Sequence, residues 1–247
     1  MKKLLALALL IFATQTALAG PFSKFNQVLN NAASDAQAQI YLNALNHDLT
    51  SIINTGNFGV GGSLGIPGLK ITATASYQSM SNDNLVMRSA DYANLFFPML
   101  QVELGLPYKI DLIARGMVIY GSTTWGLGLR RELLESRFFA MPTISVQGVF
   151  NSMSVSTPGN RFAMENVTTS VLASLPKMPL IVPFANLTWV HSNLNARSSD
   201  RYYMSANLSE TGYGLGAIMD FLIFRGSFSI NWIGNATSYS LGMFARF

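Results

Sequence analysis

The chain has 247 residues, of which 49% are hydrophobic and 11% charged, and it contains no cysteine. That is apolar for a water-soluble domain, and the missing thiols exclude a disulfide scaffold and thiolate metal centres. The formal charge of +4 is a small imbalance that gives no ground for nucleic-acid binding, and the length suits a single all-β unit.

At the N-terminus, Met1-Lys2-Lys3 precedes an apolar run from Leu4 to Phe12 and then Ala17-Leu18-Ala19. A charged start, an apolar stretch too short for an anchor and a small-x-small site form the layout of an export signal. Residues 1–19 are therefore expected to be a cleaved signal peptide, with Gly20 first in the mature chain. No cysteine stands at the cut, so a lipid anchor is excluded there. Loss of Lys2 and Lys3 lowers the formal charge from +4 to +2.

Residues 20–56 are predicted to be helical. Ser34 with Gln37 three positions on is a capping-box start, and Gly56 is a C-terminal stop. Ala38, Tyr41, Leu42, Leu45, Leu49 and Ile52 recur at helical spacing, which leaves Asn43, Asn46 and Asp48 on the other side of an amphipathic helix. Such a helix packs on, caps or plugs the domain that follows.

From Leu69 the period changes to two. Leu69, Ile71, Ala73, Ala75 and Tyr77 alternate with Lys70, Thr72, Thr74, Ser76 and Gln78. Ile110, Leu112, Ala114, Val118 and Tyr120 lie opposite Asp111 and Arg115, and Trp125, Leu127 and Leu129 alternate with polar residues and glycines. Tyr213, Leu215, Ala217 and Met219 are opposed by Gly214, Gly216 and Asp220. Alternation alone fits either a soluble sandwich, with the apolar face inward, or a membrane barrel, with that face outward.

Aromatic residues decide between them, because Tyr77, Tyr108, Tyr120, Trp125, Trp189, Tyr213, Trp232 and Tyr239 fall near the ends of the apolar faces, as membrane-interface girdles require. The chain also ends in alternating Tyr239, Leu241, Met243, Ala245 and Phe247. This segment resembles the C-terminal insertion signal of bacterial outer-membrane β-barrel proteins. The stretches 39–74 and 100–115 loosely resemble an uncharacterised family of such barrels, which implies a fold and no activity. The resemblance further implies outer-membrane lipid as surroundings and the barrel-assembly machinery as a partner of the C-terminal strand.

The expected fold is all-β: an antiparallel transmembrane barrel of about ten strands at 57–247, preceded by the amphipathic helix. The strands fall near 69–78, 94–104, 108–120, 123–132, 142–152, 160–174, 180–192, 212–223, 226–233 and 236–247. Both termini belong on the periplasmic side, so the count must be even; if 57–65 and 200–209 also span, it becomes twelve. Arg131 to Ala140 is long for a periplasmic turn and reads as a short helix, and Pro98 within a strand argues for a bulge.

Candidate chemistry is sparse. Outer-membrane lipid hydrolases use a His and a Ser on one strand with one residue between them, so that both share a face. Here His191 and Ser192 are adjacent, and a regular strand sends them to opposite faces. His47 and His191 show no metal-ligand spacing, and no cofactor is expected. Lys70, Glu103, Asp111, Arg115, Arg130, Asp220 and Arg246 should point into the lumen, as an ion network or as the lining of a passage. The functional expectation is thus an envelope structural or binding protein or a narrow passage for small solutes, located in the outer membrane. A lipid-modifying hydrolase and a soluble exported sandwich remain as alternatives.

Overall fold

The computed structural model describes residues 20–56, 61–138, 141–157, 160–175, 180–197, 203–220 and 225–247, without the side chains of Thr157, Asn160 and Asp220. Two helices come first, α1 (Phe25–Asn30) and α2 (Asp35–Asn54). The strands are β1 (Leu69–Ser79), β2 (Asn94–Leu106), β3 (Ile110–Ile119), β4 (Ser122–Leu134), β5 (Thr143–Thr157), β6 (Asn160–Ser174), β7 (Ile181–Arg197), β8 (Tyr203–Asp220), β9 (Arg225–Ile233) and β10 (Ala236–Arg246). A one-turn helix α3 (Leu85–Arg88) sits between β1 and β2.

Each strand pairs antiparallel with its sequence neighbours, and β1 pairs with β10 to close the ring. The seam runs from Lys70↔Arg246 to Gln78↔Ser238, and reciprocal backbone bonds between Leu69 and Phe247 (3.1 and 2.8 Å) finish it. Closure leaves no full-length edge, which lets a sheet cross a lipid layer with its backbone groups satisfied. Short hairpins follow turn chemistry: Tyr120 and Gly121 both have positive φ (54° and 72°), the signature of a two-residue turn matched to strand twist.

The apolar alternation faces outward. Leu127, Leu187 and Leu241 are 53, 63 and 65% exposed, whereas Lys70, Thr72, Thr74, Ser76 and Gln78 along β1 are buried. This is the arrangement of a lipid-facing belt and excludes the soluble sandwich, in which those leucines would be covered. Tyr77 lies opposite Tyr239 and Phe96, Tyr213 stacks on Trp232 at 4.9 Å, and Trp125 packs at 5.5 Å from Phe150. With Trp189, they form a ring of aromatics near one edge of the belt.

The ring has the ten strands expected and not the alternative twelve: residues 61–68 form no strand, residues 203–211 extend β8, and 57–60 and 200–202 lie outside the described residues. Two other expectations need correction. Arg131 onward is not a helix; β4 continues to Leu134 through a register shift at Glu132/Leu134, and no helix occurs in 135–138. Pro98 makes no bulge. It pairs with Ala75 in unbroken register, and pairing with β3 begins only at Leu100, so its missing donor breaks no ladder there.

The ends of the described chain are on opposite sides. Gly20 lies against Tyr120 at the tip of the β3–β4 hairpin, whereas Leu69 and Phe247 are at the other rim. The even-strand rule holds for the ring, but the segment before it runs the length of the bore. Starting at the hairpin-tip rim, here the outer rim, it descends to the inner rim, where β1 begins.

Candidate functional site: the filled lumen

The helix start is as the sequence suggests. Ser34 Oγ accepts from Gln37 N–H at 3.2 Å, and Gln37 Oε1 accepts from Ala33 N–H at 2.8 Å; Gly56, with φ 74°, follows the helix. Leu42, Leu45, Leu49 and Ile52 are fully buried, but so are Asn46, Asp48, Thr50, Ser51 and Asn54. Asn46 and Asp48, on the side opposite the apolar stripe, are thus buried too, since the wall of a barrel is itself polar and both faces of the helix meet protein.

Polar residues on the helix bond to lumen-facing residues all round the wall. Asn46 Nδ2 donates to the Ala206 carbonyl (2.9 Å) and its Oδ1 accepts from Ser192 Oγ (2.8 Å). Asp48 accepts from Ser81 N–H (2.9 Å) and Asn84 Nδ2 (2.7 Å), which ties the helix to the loop carrying α3. Asn54 Nδ2 donates to Asn166 Oδ1 (3.1 Å) and Asn54 Oδ1 accepts from Thr168 Oγ1 (2.5 Å). Thr55 and Ser238 share a short hydroxyl–hydroxyl bond. Arg115 donates from Nη2 to the Ile53 carbonyl (3.0 Å) and from Nε to Asn151 Oδ1 (2.7 Å). A guanidinium there satisfies a last-turn carbonyl and suits the negative end of the helix.

His47 lies in the outer part of the bore, at the level of the β9–β10 tip, where Glu210 sits beside Gly234. Its ring nitrogens are 3.6 Å from Asp48 Oδ1 and 3.3 Å from Glu210 Oε2. Burial works against its charge, but the two carboxylates outweigh burial and raise its pKa from 6.5 to about 9.

Toward the inner rim the charged side chains form a chain across the wall. Lys70 Nζ meets Glu103 Oε1 at 2.6 Å, Arg130 Nη2 meets Glu103 Oε2 at 2.8 Å, and Arg130 also pairs with Asp111 Oδ2 at 2.8 Å. Asp111 Oδ1 accepts from Ser63 Oγ (3.0 Å) and Leu64 N–H (2.9 Å), so this cluster clamps the segment that connects α2 to β1. Arg246 is exposed at the rim and donates to the Leu64 carbonyl at 2.9 Å. The side chain of Asp220 lies outside the described residues. A cavity of about 330 Å³ remains beside this segment, with Lys70, Arg130 and Arg246 on its wall set against Glu132 and Glu135.

His191 and Ser192 are not brought together. His191 is exposed on the outer face and bonds Ser209 Oγ at 2.7 Å, while Ser192 is buried against Asn46. Among Tyr239, Leu241, Met243, Ala245 and Phe247, all outward and exposed, Phe247 reaches the seam through its backbone.

One feature of the lumen was missed in the sequence. In β5 to β7 the apolar parity inverts toward the outer rim. Leu187 and Trp189 face outward, but further along β7 the outward residues are His191, Asn193, Asn195 and Arg197, and Leu194 and Ala196 face inward. Phe162 and Met164 on β6 and Met153 and Val155 on β5 also point inward, where they pack on Phe22, Phe25 and Leu29. Phe162 lies 5.1 and 4.9 Å from the rings of Phe22 and Phe25. The outer third of the bore is an apolar core, and the outward side of the same strand ends is polar, beyond the apolar belt. A change in the phase of alternation within one strand was the available signal.

No family model matches the chain, and neither does any curated protein. Among solved structures, it is similar to the attachment invasion locus protein Ail of Yersinia pestis (13% identity, TM-score 0.36, covering 74% of this chain and 100% of that one). It is also similar to the KdgM porin (9%, TM-score 0.38, 72% and 99%) and to Neisserial surface protein A (10%, TM-score 0.33, 72% and 95%). With its closed antiparallel ring, outward apolar belt and aromatic girdle, the chain is a ten-stranded β-barrel of the outer-membrane type.

Proposed function

We propose that this protein is a self-plugged outer-membrane barrel with a structural or binding role in the envelope and no catalytic one. The observation that carries the reading is the buried α2, hydrogen-bonded to side chains from opposite sides of the wall. A passage for solutes needs a continuous wet bore, whereas here the helix fills the middle, an apolar core the outer third, and the Lys70–Glu103–Arg130–Asp111 cluster with residues 61–64 the inner rim. Paired and hydrogen-bonded charges of this kind hold a plug in place better than they attract ions. The separation of His191 and Ser192 onto opposite faces removes the proton relay that a lipid hydrolase would need.

The same reading takes residues 1–19 as an export signal and the outward row Tyr239, Leu241, Met243, Ala245 and Phe247 as the feature that the assembly machinery handles. Planar-bilayer recording of the purified full-length protein tests it. The expected result is no sustained conductance. Stable, ohmic steps from the intact chain would overturn the plugged reading, and lipid hydrolysis abolished by His191→Ala would overturn the non-catalytic one.

A further inference from the structure

We propose that the outward face of β6, β7 and β8 beyond the aromatic girdle binds the phosphorylated saccharide headgroups of glycolipids in the same leaflet. This rests on the outer-membrane reading above. The ladder gives successive rows across the three strands. Val171, Leu187 and Tyr213 form a row that enters the aromatic girdle, and Thr169, Trp189 and Thr211 the next; Glu165, Asn193 and Asn207 come further out, and Arg161, Arg197 and Tyr203 last. Eight residues separate Trp189 from Arg197. That is about 26 Å along a strand, and about 20 Å along the membrane normal at a usual tilt.

The polar rows are pre-bonded to one another. His191 meets Ser209 at 2.7 Å, Asn193 Nδ2 donates to Asn207 Oδ1 at 2.5 Å, Asn195 Nδ2 to Asn193 Oδ1 at 2.6 Å, and Tyr203 Oη to Asn195 Oδ1 at 3.3 Å. Amides, hydroxyls and an imidazole on a flat sheet offer paired donors and acceptors to sugar hydroxyls. Above them, Arg161 and Arg197 are direct cross-strand partners, both exposed and with no carboxylate partner among the described residues. Like charges opposite one another destabilise a sheet, and a phosphate held between two guanidinium forks removes that repulsion.

Direction selects the occupant. Strand side chains stand perpendicular to the sheet, so this face looks sideways into the layer beside the barrel and not away from the membrane. It is continuous with the lipid-facing belt below it. The inner side of the same strands is covered by the N-terminal segment, through Asn46 to the Ala206 carbonyl and Gln39 to the Ser205 carbonyl.

Native mass spectrometry of the full-length protein in detergent tests this, with added lipopolysaccharide, phosphatase-treated lipopolysaccharide and phosphatidylglycerol. Intact lipopolysaccharide is expected to stay bound in preference to the other two. The Arg161→Gln/Arg197→Gln variant should bind it about tenfold to a hundredfold more weakly, with heat-modifiable gel mobility unchanged. Equal binding by the double variant, or phosphatidylglycerol held as tightly as lipopolysaccharide, overturns the assignment. Release of the protein from membranes in plain buffer would instead sink the outer-membrane reading; detergent-dependent protein that ignores lipopolysaccharide sinks only the glycolipid site.

Discussion

Replacing Asp48 by alanine should loosen the plug at its outer attachment. The carboxylate is 1% exposed and accepts the Ser81 N–H and the Asn84 side-chain amide at 2.9 and 2.7 Å. Asn84 in turn caps α3 by accepting from Met87 N–H at 3.3 Å. Truncation strands one buried and one half-buried donor at about 1–3 kcal/mol each and removes one of the two carboxylates beside His47. Recovery of the carboxylate's own desolvation cost offsets part of this, so a net loss of about 3–4 kcal/mol is expected, within the range for breaking a buried charge cluster. Asp48→Asn retains one acceptor oxygen and should lose about half as much. Urea titration in detergent micelles, followed by the gel shift between folded and unfolded forms, measures both; the midpoint should fall with an unchanged slope. Two variants within about 0.5 kcal/mol of the unaltered protein would refute the claim that this bond set holds the helix.

Raising the pH provides a second test. The His47 pKa of about 9 lies above its unfolded value, so its contribution is complete below pH 6.5 and is lost as pH climbs through about 9. The urea midpoint should therefore fall over that interval, and His47→Gln should remove this part of the slope. Leu129→Arg places a charge on the lipid-facing belt, where Leu129 is 54% exposed; refolding into vesicles should be weakened by about 2–4 kcal/mol if the site is near the midplane. Gly214→Val puts a Cβ 2.2 Å from Asn231 Oδ1 and 2.5 Å from Asn186 Nδ2 in the lumen. A loss of about 1–3 kcal/mol in the same urea titration is expected from overpacking.

The strands were largely legible because a two-residue period with lipid on one side leaves a strong contrast, as in Ile71, Ala73 and Tyr77 against Thr72, Thr74 and Ser76. The capping box at Ser34 was equally readable, being a local device. The burial of Asn46 and Asp48 was not legible, because hydropathy reports what a face can meet, and a polar lumen accepts amides and carboxylates as readily as water does. The apolar outer core escaped notice for a related reason. Phe162 and Met164 keep the alternation of β6 while changing its sense, and counting matches to a period discards phase. The ion cluster at the inner rim needed three dimensions, since Lys70, Glu103, Asp111 and Arg130 come from four strands.

The path of residues 20–56 constrains how the molecule is put together. A finished ring would have to admit a twenty-residue helix through a bore that the helix's own side chains fill. Closing the β1–β10 seam after residues 20–56 are in place spares the helix that passage, much as a sleeve is sewn round an arm.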